Sequence, residues 1–278
     1  MNFDNDIEIK RFWAEGFAFE TAEGAIENSI RRAARDFTAR TETRKKDSGD
    51  EKLATLLLQD DVENKNLRKI LEKYFEDEPV KNQDAFNAWH HETCKWILTI
   101  ENSIYENVHY GKAQKILNMT FKNLYCSQYG QSRKQYFRYC HIALDRFTLE
   151  WIFRNIYPNY KAIKLKRLCK SRTPAWSNFT YETGTNEKGK EIYSYLDMVH
   201  IITKYFDNLE TGITPFEAEF IIWNNIQLEQ AAEDFYAQAY QYLSRPQARE
   251  KPADFKKKSL SEKIKTIQKL LQNEQFSQ

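Results

Sequence analysis

Residues that break helices are scarce in this chain. Eight glycines and six prolines occur among 278 residues. Tight turns between strands depend on glycine and proline, so their scarcity disfavours a strand-rich fold and favours long helices joined by short connections. We therefore predict a mainly α, multi-helix globular protein with at most one small β-hairpin, near residues 178–195.

Cysteines are also few and widely spaced, at positions Cys94, Cys126, Cys140 and Cys169. None belongs to a C-x-x-C pair, so neither a disulfide framework nor a zinc ribbon is indicated. His90 and Cys94 are four residues apart, a spacing that presents two ligands on one helix face. Because no third or fourth ligand is evident, we predict no metal site and no cofactor.

Long apolar runs are missing as well. No uninterrupted run approaches about 18 residues, so no membrane-spanning helix and no membrane partner are predicted. The first residues, MNFDNDIEIKRFW, are acidic and polar, unlike the basic and then apolar start of a secretory leader. We expect a soluble protein of the cytoplasm, which is a reducing compartment.

The charges nearly cancel, with 42 basic and 40 acidic residues. Affinity for nucleic acid must then come from local clusters of basic residues. Residues 161–172, KAIKLKRLCKSR, hold six basic residues and no acidic one. This run predicts a partner that is DNA or another nucleic acid, and its candidate contacts are Lys164, Lys166, Arg167, Lys170 and Arg172.

An aromatic group follows the basic run. Trp176, Phe179 and Tyr181 lie close together in the sequence. Aromatic side chains beside basic residues are typical of surfaces that stack an unpaired base, and Trp176 is our candidate for that role. The alternative is an aromatic-rich loop that packs onto the protein.

The helical pattern suggests three parts: an N-terminal helical region over 1–80, a helical core with the candidate site over 81–243, and a polar tail over 244–278. In the tail, Ser259 and Glu262 have the spacing of a capping box in front of a terminal helix.

A segment within the predicted core carries unusual lysines. In GKAQKILNMTFK, residues 111–122, the apolar residues follow the 3.6-residue helical period. Lys115, Asn118 and Lys122 fall on the opposite side, which we expect to face solvent. Asp145 comes thirty residues after Lys115, where a new helical pattern begins.

A lysine and a helix-start aspartate can perform chemistry together. The lysine amine attacks an electrophilic sugar carbon or carbonyl and forms a Schiff base. A carboxylate held ionised at a helix start stabilises a cationic transition state. His141, four residues before Asp145, is a candidate to orient the carboxylate or to act as a general base. Alternatively, Asp145 is an ordinary N-cap and Lys115 is solvated.

The order of these residues resembles the lysine-and-aspartate core of the helix-hairpin-helix DNA glycosylase superfamily, in particular its archaeal 8-oxoguanine glycosylase branch. The resemblance covers about forty residues and is carried by Gly111, Lys115, Asn118, Lys122, Leu144, Asp145 and Leu149. It implies that Lys115 is the nucleophile that opens an abasic sugar and that Asp145 activates it. We add Lys112, Lys122 and Asn118 as candidate nucleic-acid contacts.

The sequence departs from that superfamily at one point. The glycine-rich hairpin before the catalytic lysine is reduced to Gly111 alone. The signature GxAQKxxNMxxK followed by HxxLD also resembles a group of bacterial proteins without an assigned role.

Two functions are therefore predicted from the sequence. One is a DNA-directed base-excision enzyme of the glycosylase and abasic-lyase type. The other is a non-catalytic helical protein that binds nucleic acid through residues 161–172. They differ in whether Lys115 and Asp145 converge on one pocket.

Overall fold

A computed structural model describes residues 22–38, 44–45, 52–106, 108–156, 176–182, 184–185, 191–192, 194–209, 211–242 and 250–275. Helices dominate this part of the chain, which confirms the mainly α prediction. In chain order they are α1 (Ala22–Thr38), α2 (Leu53–Leu58), α3 (Leu67–Glu76), α4 (Gln83–Ile104), α5 (Tyr110–Cys126), α6 (Gln128–Gln131), α7 (Arg146–Asn155), α8 (Tyr195–Asp207), α9 (Pro215–Tyr242), α10 (Pro252–Phe255) and α11 (Leu260–Gln275).

Shorter elements connect the helices. Two 3₁₀ turns span Lys134–Phe137 and Trp176–Asn178. Strands β1 (Gly184–Thr185) and β2 (Glu191–Ile192) pair antiparallel, with Gly184 opposite Ile192. This pair lies inside the predicted hairpin region, residues 178–195. Among the described residues, none of the helices combines the length and the apolar character that spanning a bilayer requires.

The chain divides into two compact units, Met1–Phe220 and Ile221–Gln278. The predicted boundaries at residues 80 and 243 do not coincide with this division. In the first unit α1 packs against α5. The apolar stripe of α1, formed by Ile26, Ile30 and Ala33, is buried. Helix α1, which lies before residue 80, is therefore built into the same core as α5, which lies after it.

Helix α5 is the centre of the first unit. It contacts α1, α4, α6 and both 3₁₀ turns. Every residue of α5 except Lys115 and Met119 is buried. The prediction that Lys115, Asn118 and Lys122 share a solvent-exposed face is therefore wrong for the last two, each of which is 1% exposed. The helix is enclosed on its polar side too, where polar groups of neighbouring elements replace water.

The second unit contains most of α9 together with α10 and α11. Tyr236 stacks on Phe255 with ring centroids 3.9 Å apart. Lys263 is 1% exposed, and its Nζ donates to Glu233 Oε1 at 2.7 Å. The predicted capping box is present, because Ser259 N–H donates to Glu262 Oε2 at 2.9 Å. It begins the terminal helix α11.

Candidate active site

Lys115 and Asp145 form an ion pair. Lys115 lies in the second turn of α5, and Asp145 is the N-cap of α7. The Lys115 Nζ is 2.8 Å from Asp145 Oδ2, with side chains 17% and 9% exposed. Lys115 and Asp145, the two candidate catalytic residues from the sequence, are thus in contact although they lie thirty residues apart in the chain.

Asp145 also closes a capping box at the start of α7. Its Oδ1 accepts the N–H groups of Phe147 and Thr148 at 2.9 and 3.0 Å. Its own N–H donates to Thr148 Oγ1 at 2.8 Å. Capping therefore occupies Oδ1, while Oδ2 is turned to Lys115.

The carboxylate of Asp145 stays ionised in this setting. Burial alone raises its pKa, but the charge and hydrogen bond of Lys115 and the N–H of Thr148 outweigh burial and hold the pKa below its ordinary value. The charge of Lys122 acts in the same direction. An ionised carboxylate at a helix start stabilises positive charge that develops beside it.

Helix α5 also fixes the backbone in front of Asp145. Gln114 donates through Nε2 to the Leu144 carbonyl at 3.0 Å and accepts the Leu144 N–H at 3.3 Å. Asn118 Nδ2 donates to the Ile142 carbonyl at 3.2 Å. Two polar residues of the GKAQKILNMTFK segment therefore hold the HIALD segment in place.

Lys122 is linked to the same HIALD segment through Glu219. Its Nζ donates to Glu219 Oε1 at 2.9 Å, and both side chains are 1% exposed. Glu219 Oε2 accepts the Ala143 N–H at 2.7 Å. The predicted nucleic-acid contacts Lys122 and Asn118 thus lie inside the protein, because their polar groups bind this backbone segment and its neighbours. Lys112 is 6% exposed, and burial lowers its pKa.

His141 belongs to a buried polar network. Its Nδ1 is 2.9 Å from the Tyr195 hydroxyl and its Nε2 is 2.7 Å from Asn87 Oδ1. Asn118 joins the network through Tyr195, at 2.9 Å, and through His90, at 2.8 Å. Burial lowers the pKa of His141 well below its ordinary value and that of His90 to about 3. Both nitrogens of His141 are engaged, which fits a structural role better than the predicted general-base role.

From the sequence, His90 was considered only as a possible metal ligand beside Cys94. Their contact is present, with Sγ 3.7 Å from Nδ1. Over the described ranges no group of three or more His, Cys, Asp and Glu residues is arranged to hold a metal ion. Nothing in the sequence indicated the buried network around His141. Its other members, His90, Asn87 and Tyr195, come from α4 and α8 and lie far from His141 in the sequence.

Gly111 brings an aromatic ring to the ion pair. Its N–H donates to the Phe179 carbonyl at 3.0 Å, and a Cβ at this position would lie 1.8 Å from the Trp176 carbonyl oxygen. The absent side chain therefore lets the 3₁₀ turn approach α5. Trp176 is partly exposed, and Lys115 Nζ lies 5.1 Å from its ring centroid. Gly111 is thus the position in α5 at which the backbone of the 3₁₀ turn can come close to the helix.

The other two aromatics of this group pack onto the protein. Phe179 is 1% exposed, and Tyr181 stacks on His91 with centroids 3.6 Å apart. Phe179 and Tyr181 therefore pack onto the protein, which was the alternative to a base-stacking surface. Trp176 keeps exposed surface. The basic run lies outside the described residues, and its candidate contacts stay a prediction: Lys164, Lys166, Arg167, Lys170 and Arg172.

The site combines a partly exposed ammonium, an ionised carboxylate in contact with it, and an aromatic ring over the ammonium. Comparisons of the chain with protein-family models, curated proteins and solved structures gave no match. The chemistry of the site is therefore inferred from these contacts.

Proposed function

We propose that the chain is a DNA-directed base-excision enzyme of the glycosylase and abasic-lyase type, with Lys115 as nucleophile and Asp145 as the activating carboxylate. The contact of 2.8 Å between Lys115 Nζ and Asp145 Oδ2 is the observation that supports it most. A nucleophile and the group that activates it must lie within hydrogen-bond reach of each other.

Exposure distinguishes Lys115 from the other two lysines of α5. Lys122 is 1% exposed and is paired with Glu219, and Lys112 is 6% exposed. The Lys115 side chain is 17% exposed. A substrate sugar can therefore reach the amine of Lys115 with the smallest rearrangement of the protein.

In the proposed reaction the Lys115 ammonium first loses a proton to water, so that Asp145 keeps its negative charge. Its lone pair then attacks C1′ of the deoxyribose. The bond from C1′ to the base breaks, and the base leaves with the bonding electrons and takes up a proton. Asp145 stabilises the positive charge that develops on the sugar during this exchange.

The later steps regenerate the enzyme. The sugar ring opens to a Schiff base on Lys115, which acidifies the C2′ hydrogen. Loss of that proton expels the 3′ phosphate by β-elimination. Water then adds to the Schiff base and returns the free lysine amine and the cleaved sugar aldehyde.

Trp176 gives the proposed substrate a surface to stack on. Enzymes that act on a base take it out of the helix and hold it against aromatic or apolar side chains. The partly exposed Trp176 ring lies beside Lys115, the position at which the sugar must be attacked.

Borohydride trapping tests this proposal. The protein is incubated with duplexes that carry an abasic site or 8-oxoguanine, and the Schiff base is reduced to a stable cross-link. We expect cross-linked complexes with the unaltered protein and with Lys112→Gln, and none with Lys115→Gln. Failure of the unaltered protein to cross-link to either duplex would contradict the proposal.

The second candidate is a non-catalytic helical protein that binds nucleic acid. The double role of Asp145 favours it, because the capping box and the ion pair together tie α7 to α5 without any chemistry. Under this hypothesis DNA binds without cross-linking. Replacing Lys164, Arg167 and Lys170 by Gln then flattens the logarithmic salt dependence of binding by about two to three units.

A further inference from the structure

A cleft separate from the Lys115 site opens in the first unit. It encloses about 580 Å³ and lies among the 3₁₀ turn Lys134–Phe137, the end of α8 and the start of α9. Small-molecule sites typically measure about 300–1,000 Å³. Lys115, Asp145 and Trp176 do not line this cleft. Its use is therefore independent of the proposed base-excision reaction.

Two cations line the cleft without a carboxylate partner. Lys134 and Arg138 are four residues apart and both are exposed. Neither side chain forms an ion pair or hydrogen bond with another part of the described chain. Arg138 is instead oriented by Tyr139, whose ring centroid lies 5.6 Å from the guanidinium carbon. Arginine and lysine presented in this way are suited to an anionic group such as a phosphate.

Aromatic side chains form another part of the lining. Phe137 and Phe206 are 2% and 3% exposed, so their positions are fixed by packing. Tyr125 meets Phe137 edge to face, with ring centroids 5.2 Å apart. Protein atoms cover these rings, so a ligand in the cleft instead meets the partly exposed side chains of Tyr139 and Ile213, which also line it. A planar ring of a ligand gains apolar burial and ring contacts against such a surface.

The cleft also offers one free carboxylate. Glu217 is occupied, because Oε1 accepts the Tyr125 hydroxyl at 3.1 Å and Oε2 accepts the Thr214 N–H at 3.1 Å. Asp207 is exposed, and its carboxylate has no ion-pair partner among the residues that the structure describes. It can accept hydrogen bonds from hydroxyl groups.

We propose that this cleft binds a nucleoside monophosphate. Lys134 and Arg138 receive the phosphate, the partly exposed Tyr139 and Ile213 receive the base, and Asp207 accepts a sugar hydroxyl. A free phosphate satisfies only the first of these groups, and a nucleoside without phosphate leaves both cations unpaired. The ligand that uses all three kinds of group is therefore a nucleotide.

Isothermal titration calorimetry of the full chain tests the site with AMP, GMP, CMP and UMP as probes. We expect at least one of them to bind with one molecule per chain, and its own nucleoside and inorganic phosphate each to bind at least tenfold more weakly. Lys134→Gln with Arg138→Gln should weaken nucleotide binding at least tenfold, which corresponds to about 1.4 kcal/mol. Thr203→Phe, which fills the cleft without changing a charge, should weaken binding as well.

The matched control is Lys73→Gln with Lys95→Gln, which removes the same charge from exposed lysines that do not line the cleft. We expect this variant and Lys115→Gln to bind the nucleotide as the unaltered protein does. The proposal is overturned if none of the four nucleotides binds at millimolar concentration. Full affinity in the Lys134 and Arg138 variant, or equal affinity for the bound nucleotide and its own nucleoside, overturns it too.

Discussion

Asp145 divides its two carboxylate oxygens between folding and the candidate chemistry. Oδ1 accepts the N–H groups of Phe147 and Thr148, and Oδ2 lies 2.8 Å from Lys115 Nζ. The cap needs an acceptor atom, whereas the contact with Lys115 depends on negative charge. Substitutions that keep one property and remove the other can therefore separate the two roles.

Asp145→Asn is the first such substitution. Asparagine caps a helix about as well as aspartate. The variant also loses the ion pair with Lys115, so we expect the free energy of unfolding to fall, but by less than the loss of about 3–5 kcal/mol typical of a fully buried pair, because the Lys115 side chain is 17% exposed. The loss of negative charge beside Lys115 should abolish borohydride cross-linking. Denaturant unfolding and cross-linking on the same samples provide the measurement. If Asp145→Asn cross-links as well as the unaltered protein, Asp145 is a cap only.

The buried pair of Lys122 and Glu219 gives a second prediction. Lys122→Met leaves the Glu219 carboxylate buried without its cation, and we expect a loss of about 3–5 kcal/mol in the free energy of unfolding. In Lys122→Met with Glu219→Gln, the glutamine oxygen still accepts the Ala143 N–H and no charge stays buried. This double variant should be more stable than Lys122→Met alone. A double variant less stable than the single one would show that the two residues do not act as a pair.

Gly111→Ala tests the approach of the 3₁₀ turn to α5. Alanine improves helix propensity by about 1 kcal/mol, but its Cβ meets the Trp176 carbonyl, and such overpacking costs about 1–3 kcal/mol. We expect no gain in stability and a strong loss of cross-linking, because Trp176 must move away from Lys115.

Gly212→Ala is the control for that substitution. Gly212 has a φ of 68°, so alanine there is strained, but no atom lies within 4 Å of the added Cβ. It should lower stability by about 1–2 kcal/mol and leave cross-linking intact. Normal cross-linking by Gly111→Ala would separate Trp176 from the function of Lys115.

The buried histidines predict sensitivity to acid. Burial lowers the folded-state pKa of His90 to about 3 and also lowers that of His141, whereas both titrate near about 6.5 when unfolded. Above about pH 6.5 the two histidines are neutral in both the folded and the unfolded state, so they do not reduce the free energy of unfolding. Below that pH the unfolded state binds protons that the folded state does not, so stability falls by about 1.4 kcal/mol per histidine at one pH unit below.

Urea unfolding at pH values of about 7.5 and 5.5 measures this loss. The lowered pKa of Asp145 means that its stabilising contribution disappears only at more acidic pH, as the pH falls through its folded-state pKa. His141→Gln should reduce the difference between the two pH values. His109→Gln, at an exposed position, should not. A stability that is equal at both pH values would exclude neutral burial of the two histidines.

Much of the local structure could be predicted from sequence patterns. The spacing of Ser259 and Glu262 gave the capping box, and the position of Asp145 gave the start of α7. These features depend on hydrogen bonds between residues two or three positions apart, which the chain itself encodes.

The environment of α5 could not be predicted in this way. Helical periodicity separates apolar from polar sides, and it assigned Asn118 and Lys122 to solvent. In the structure the polar side meets Tyr195 and Glu219, which lie 77 and 97 residues away in sequence. Periodicity contains no information on such partners. The pairing of Lys115 with Asp145 was predicted from the chemistry of a lysine and a helix-start aspartate and from a resemblance, and not from periodicity.

Identification of the lysine that becomes covalently bound tests the proposed function most directly. After borohydride reduction on a duplex with an abasic site, the protein is digested with trypsin and the modified peptide is sequenced by mass spectrometry. Attachment at Lys115 blocks cleavage there, so we expect the adduct within one peptide spanning residues 113–122. An adduct on Lys112, Lys122 or any other lysine, or the absence of an adduct, would contradict the assignment of Lys115 as the nucleophile.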